Sequence, residues 1–379
     1  MSLGVPIGAR KYRTMSTRPR LRVTAIAAIL LAGLGAAFYF QPMPAELARA
    51  GEVPARRTEE AASTAMQPLD TAGARKPFAL SEKGRVLLKG DPTAAIRSTE
   101  EIRSFLAKRG ETAYNLLAAY ENANDPQWLK RALELYPNDP AVLFDAVGAT
   151  LSEPERTALI ERWKAADRSS PLPWLYSAES LFATDGAAAR AALRESVSRS
   201  GLYLYTNERI AASKQLHEDS GLKPLEADRV ATFTSPLPYL TIAMNASRAL
   251  LPKAASAAEP LPPPPSPEDL RLAYDLARTF STPESERMLI NQLVSVTLER
   301  RALEAIPENT LLENRPVIPA QRLAELDKQK AKINHLVKSN VADFAAFDEP
   351  TIAEYLRRFH AQGEMRAMQW RQTQPKPAK

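Results

Sequence analysis

The strongest constraint on this chain is a recurring pair, a short polar residue followed by proline. It occurs at Asp125-Pro126, Asp139-Pro140, Ser170-Pro171, Ser235-Pro236, Ser266-Pro267 and Thr282-Pro283, each ahead of an apolar-periodic segment. Asp, Ser and Thr accept hydrogen bonds from the free amides of a helix start. Proline at the first helical position lacks only an N–H that would have no partner there. A chain punctuated in this way builds short helices. Two more starts carry capping-box spacing: Ser98 with Glu101 ahead of Ile102, Phe105 and Leu106, and Ser152 with Glu155 ahead of Leu159, Ile160 and Trp163. No segment alternates convincingly with period two. Leu202–Tyr205 comes nearest to a strand but sits among helical signals. The expected fold class is all-α.

The helices read in order. One ends at Gly110, and Thr112–Asn122 follows with Tyr114, Leu117 and Tyr120 on one face. Asp125 opens a helix with Leu129, Leu133 and Tyr136, and Asp139 one with Val142, Leu143 and Val147. Ser170 opens a helix with Trp174, Leu175, Ala178 and Leu181, and Asp185 one that Gly201 is expected to end. Glu259–Pro267 holds four consecutive prolines, which favour polyproline II, so 254–267 reads as a linker. Beyond it, 268–371 reads as a C-terminal helical region. Ser266-Pro267 starts a helix through Phe280, and Thr282-Pro283 a longer one through about Ala305. Gln321–Asn340 carries a narrow stripe of Leu323, Leu326, Ile333 and Val337, suited to a single neighbour or a coiled-coil partner. A last helix from about Pro350 carries Ile352, Tyr355, Leu356, Phe359, Met365 and Met368, and 372–379 reads as a disordered tail.

Helix starts of one kind fall near Asp139, Ser170, Ser200 and Ser235, at intervals of 31, 30 and 35 residues, with a second helix in each gap. The segments Ser170-Pro-Leu-Pro-Trp-Leu-Tyr-Ser-Ala and Ser235-Pro-Leu-Pro-Tyr-Leu-Thr-Ile-Ala share wording two such periods apart. Two helices per period of this length mark a solenoid. Ala132–Pro140, ALELYPNDP, followed by an apolar helix, resembles the junction between successive tetratricopeptide repeats. The resemblance covers about 112–251 within a helical region of 96–253. The small-residue positions are met loosely and the usual glycine–tyrosine pair is absent. The resemblance implies antiparallel helix pairs in a right-handed superhelix whose concave face binds a peptide or partner protein.

A different signal governs the N-terminus. Val23–Phe40, VTAIAAILLAGLGAAFYF, is uncharged and follows Arg10, Lys11, Arg13, Arg18, Arg20 and Arg22. As a helix, its eighteen residues would span about 27 Å, nearly the thickness of a hydrocarbon core. Phe38, Tyr39 and Phe40 suit the headgroup layer at one end. The cation bias predicts a single-pass signal anchor in the inner (cytoplasmic) membrane, with a basic leader over 1–22 in the cytoplasm and the body exported. Residues 41–95, rich in Ala, Pro, Arg, Glu and Thr, read as a disordered tether. The alternative is a cleaved signal with Ala48-Arg49-Ala50 as its site, leaving the body secreted or periplasmic. Met15 is an alternative start that keeps three of the cations.

Charge and composition exclude several function classes. The net charge of +6 comes from 50 Lys and Arg against 44 Asp and Glu, and the leader holds six cations and no anion. The rest of the chain is therefore balanced, and no basic stripe interleaves with aromatics as in a nucleic-acid binder. The chain has no cysteine, hence no thiolate nucleophile, thiolate metal site or disulfide framework. Glycine is scarce at 14 residues, with none between Gly221 and Gly363, and no phosphate-cradling motif occurs.

No constellation of residues carries a catalytic, cofactor or metal assignment. His217, His335 and His360 are far apart in sequence, and His217 beside Glu218 and Asp219 reads as a solvated helix end. A helical cell-wall hydrolase or lyase would need a buried glutamate of raised pKa in an aromatic-lined cleft. Glu179, after Trp174 and Tyr176, is the best-placed candidate and reads more simply as a helix-face residue. Tyr114, Tyr120, Trp128, Trp163, Trp174, Tyr176, Tyr203 and Tyr205 lie at helical spacing and read mostly as core, a few as groove anchors. The expected function is a membrane-anchored scaffold that binds a protein or peptide on its repeat surface, without catalysis or cofactor. The alternatives are the glutamate hydrolase or lyase and a membrane-tethered sensor or regulator.

Overall fold

The computed structural model describes residues 97–374, apart from 124, 151, 200–201, 203, 235–238, 253–262, 282–287, 308–310, 313–314, 317 and 342–347. The leader, the apolar segment 23–40, the tether, the cleavage site and most of the proline-rich linker lie outside the described residues. No described helix is long and apolar enough to cross a membrane.

The described chain is all-α, with fifteen helices and one two-residue antiparallel ladder. The helices are α1 (Thr99–Arg109), α2 (Ala113–Ala123), α3 (Pro126–Leu135), α4 (Pro140–Ala149), α5 (Glu153–Ala166), α6 (Leu172–Leu181), α7 (Gly186–Val197) and α8 (Thr206–Asp219). They continue with α9 (Pro224–Thr234), α10 (Tyr239–Leu250), α11 (Pro267–Thr279), α12 (Leu289–Ala305), α13 (Pro319–Val341), α14 (Glu349–Gln362) and α15 (Glu364–Gln372). The ladder pairs Leu311 with Pro316 and Leu312 with Arg315, a short hairpin the sequence did not announce.

The caps explain most of the boundaries. Ser98 and Glu101 form the expected capping box, and Asp125 and Asp139 each accept from amides of the helix they precede. Ser266 forms a second box with Asp269 at the start of α11. Ser152 does not form one, although it precedes α5. Pro154 stands at the second helical position and removes one of the two amides a serine cap uses. Alanine at Ser98 or Ser266 is therefore expected to cost about 1 kcal/mol. Alanine at Ser152 should cost a few tenths at most, as urea titration of the three variants would show.

Other ends move from their expected positions. α7 stops at Val197, before Gly201, because Arg199 donates to the carbonyls of Glu195 and Arg168 and closes that end. α12 begins only at Leu289, since Met288 is extended (φ −102°, ψ 125°). The last expected helix is two, broken at Gly363 with φ 87°, and α15 carries Gln372 inside it rather than in a tail. Gly363 stands in the left-handed region that an L side chain adopts only with strain.

Packing follows sequence order from α1 to α7, each helix against the next. A buried aromatic cluster joins α4, α5, α6 and the residue before α8. Phe144 meets Trp163 edge-on at 5.6 Å, Trp163 meets Tyr176 at 5.5 Å, and Tyr205 completes the set at 6.3 Å from Phe144. The order then breaks. The principal partners of α8 are α9, α2 and α1, whereas α10 packs on α6 and α11 on α7. Tyr239 of α10 stacks on Phe280 at 6.1 Å and donates to Asn291 of α12 at 2.7 Å. α13 lays its narrow stripe, Leu326, Ile333 and Leu336, against α12 and α15. One apolar core runs continuously from Ile102 to Leu326, across the boundary expected at 254–267. A smaller one gathers Leu289, Ile333, Tyr355, Phe359 and Met368.

Candidate functional site

The densest buried polar chemistry lies where α8 crosses α1, α2 and α4. Arg209, Ser213 and His217 are spaced by four, so they share one stripe of α8, and Tyr205 stands just ahead of the helix. Each meets a partner distant in sequence. Tyr205 donates to Asp167 at 2.6 Å. Arg209 donates to Asp145 at 2.9 Å and also to Glu121, and its guanidinium lies 5.5 Å from the Phe144 ring centre. The Ser213 hydroxyl accepts from Asn122 at 3.3 Å. His217 Nδ1 pairs with the Arg97 guanidinium at 3.0 Å. Just past the stripe, Asp219 accepts from Lys108 and, twice, from Arg109.

This contradicts the expectation of a solvated end at His217, whose ring is 1% exposed. A guanidinium has donors only, so Nδ1 accepts and the ring carries its proton on Nε2. Burial lowers the Arg97 pKa, while Glu101 works the other way. Arg209 is equally buried. Desolvation works against its cation, but the charges of Asp145 and Glu121 outweigh it and raise its pKa. One cation facing two carboxylates leaves an excess negative charge. Burial, added to by Glu121 and opposed by Arg209, raises the Asp145 carboxyl above the usual carboxylate range.

Tyr205 sits in the left-handed region at φ 53°, the one described non-glycine residue with positive φ. A bulky residue there is strained. Its hydroxyl bond to Asp167 and the surrounding aromatic rings hold it in place.

The other residues singled out in sequence do not converge. Glu179 is half-buried and ion-paired to Arg156 at 2.9 Å, a surface link between α6 and α5. His335 is exposed on α13. His360 of α14 donates from Nε2 to Asp228 of α9 at 2.9 Å, and Lys214 of α8 holds the other oxygen of that carboxylate at 3.1 Å. Trp163, Tyr176 and Tyr205 are core, as is Trp128, whereas Tyr203 lies outside the described residues. Trp174 stays half-exposed, with Lys164 4.3 Å and Arg199 4.5 Å from its ring centre. Among the described residues no group of His, Asp and Glu has the arrangement of a metal site.

A fully buried glutamate of raised pKa does exist, at Glu364 rather than Glu179. Burial pushes its carboxyl up to about 7, opposed by the Leu289 amide. It accepts that amide at 2.9 Å and so caps α12, whose own preceding residue Met288 supplies no side-chain cap. The group is thereby committed to joining α15 to α12.

No protein-family model, no curated protein and no solved structure matches this chain.

Sequence reasoning missed the seam of α8. The signal was present as Arg209, Ser213 and His217 at steps of four, a polar stripe in line with Tyr205. A stripe of that kind is ordinarily solvated. Only the partners Glu121, Asp145, Asn122 and Arg97, far away in sequence, reveal it as buried.

Proposed function

We propose that the chain is a non-catalytic interaction scaffold in the cell envelope. In this reading segment 23–40 holds it at the membrane and the helical body binds a partner protein or peptide. The observation that carries the reading is helix spacing. α4, α6, α8 and α10 start at Pro140, Leu172, Thr206 and Tyr239, steps of 32, 34 and 33 residues. Each is followed by a second helix. That period supports a tetratricopeptide-like array of helix pairs, a class whose extended surfaces serve binding. Stacking of α10 on α6 and of α11 on α7 is pair-on-pair contact of the kind such an array makes, here between pairs two periods apart, with the α8–α9 pair set outside the stack. Arg190 with Asp269 (2.6 and 3.2 Å) and Arg194 with Glu268 (2.7 Å) pin the second of these.

The test sets contact against chemistry. The full chain, tagged at its C-terminus and solubilised in detergent, is used in capture from an envelope extract and in a cell-wall digestion assay. A specific protein partner with no release of sugar fragments is the expected result. Sugar release that Glu179→Gln or Glu364→Gln abolishes, with no captured protein, would replace the scaffold by the hydrolase or lyase.

A further inference from the structure

The stack of helix pairs does not need α8 and α9. α10 and α11 rest directly on α6 and α7, so the array continues past the α8–α9 hairpin. The hairpin lies elsewhere. α8 crosses α2 and α1 and reaches α4, while α9 packs on α14. Leu222, Ala227 and Val230 form a small apolar cluster within it, while Ala212 and Leu216 of α8 join the main core and Leu225 and Phe233 of α9 pack on the smaller one. It is joined to the array at Tyr205, the strained residue.

The face it covers is chemically distinctive. α2 and α4 present two carboxylates, Glu121 and Asp145, a ring at Phe144 and an amide at Asn122. α8 answers with a cation, a small hydroxyl residue four positions on, and an aromatic four positions before. Apolar contacts from Leu216 and Ala212 complete the seat. Buried ionic contacts of this kind give specificity and register while adding little net stability over alternatives, because both partners must be stripped of water. A contact built in that way suits exchange between occupants.

We propose that the face formed by α2 and α4 is a helix-binding surface occupied by the chain's own α8. The outside partner it fits is an amphipathic helix that places an arginine between Glu121 and Asp145. The partner helix carries a small hydroxyl residue one turn beyond that arginine, with an aromatic just ahead of the helix start, four positions before the arginine. Binding swings the α8–α9 hairpin off, relieves Tyr205 and parts Asp228 from His360. This rests on the scaffold reading only in naming the outside partner a protein.

Native-state hydrogen exchange of the full chain tests it first. Amides of α8 and α9 are expected to exchange together, about a hundredfold faster than those of α4 to α6, through a partial opening. Exchange of all these helices at one rate, through a single global opening, would overturn the proposal. The scaffold reading would survive that result, with its partner on another face. A labelled peptide of residues 204–221 supplies the second test. It is expected to bind the Arg209→Ala chain about tenfold tighter than the wild-type chain, where the tethered copy competes at high effective concentration. A peptide carrying Arg209→Ala is expected not to bind. Equal binding of the two peptides would overturn the assignment of the arginine as the recognition element. Should the Arg209→Ala chain fail to fold, the exchange experiment on wild type decides alone.

Discussion

Replacing Arg209 with methionine is expected to destabilise the docked α8 by about 3–5 kcal/mol, among the largest effects of any single change in this chain. Methionine fills much of the volume and keeps the contact with Phe144. It cannot pair Asp145, which lies buried, or Glu121, which is partly buried. An unpaired buried carboxylate is far costlier than an apolar group of the same shape. Asp145 already holds its proton more tightly than an ordinary carboxylate, so it should protonate in the variant and limit the loss. The double change Arg209→Met with Asp145→Leu is then expected to recover half or more of the loss, since it removes charge from both sides. Urea denaturation gives the total, and hydrogen exchange shows where it falls. A loss below about 1 kcal/mol, with no recovery in the double variant, would mean that the seam is not the buried ion cluster described.

The second large effect is a pH dependence that Glu364 should impose. Its carboxyl has a pKa of about 7 in the folded chain against an ordinary 4.5. Between those values the folded chain binds more protons than the unfolded one, so stability must fall as pH rises. The contribution is fully present below pH 4.5 and lost as pH passes through about 7. At about 1.4 kcal/mol per unit of pKa the swing is about 3 kcal/mol. Glu364→Gln keeps an oxygen to accept the Leu289 amide and cannot ionise. The variant should therefore lose the share of the slope between pH 4.5 and 7 that Glu364 contributes, keeping the share owed to the buried Asp145, and match or exceed wild type at pH 8. An unchanged slope in the variant would show that Glu364 is not the responsible group.

Local chemistry made much of the fold legible. Asp125, Asp139, Ser98 and Ser266 each start a helix where the chain places them, because a cap acts within three residues. The failures are also local where a competing donor or breaker intervened, as with Pro154 after Ser152 and Gly363 inside the last helix. The order in which helices pack was not legible. Nothing in residues 206–234 announces that α8 lies on α2 rather than on α7, because that choice depends on Glu121, Asp145 and Arg97 meeting Arg209 and His217 in space. The same reason hid Glu364. Its sequence neighbours look like any exposed helix start, and only the approach of Leu289 buries it. Periodicity reports which face of a helix is apolar, and it is silent on which distant face a polar stripe meets.

Contact as the mode of action is tested most directly by lysine cross-linking in intact envelopes, read by mass spectrometry of the full chain. Lys108 on α1, paired with Asp219 at the end of α8, and Lys214 on α8, paired with Asp228 of α9, both reach solvent. The account predicts cross-links from these lysines to one recurring partner protein in intact envelopes, links the purified chain does not form. Cross-links confined to the chain itself, unchanged between purified protein and intact envelope, would contradict it.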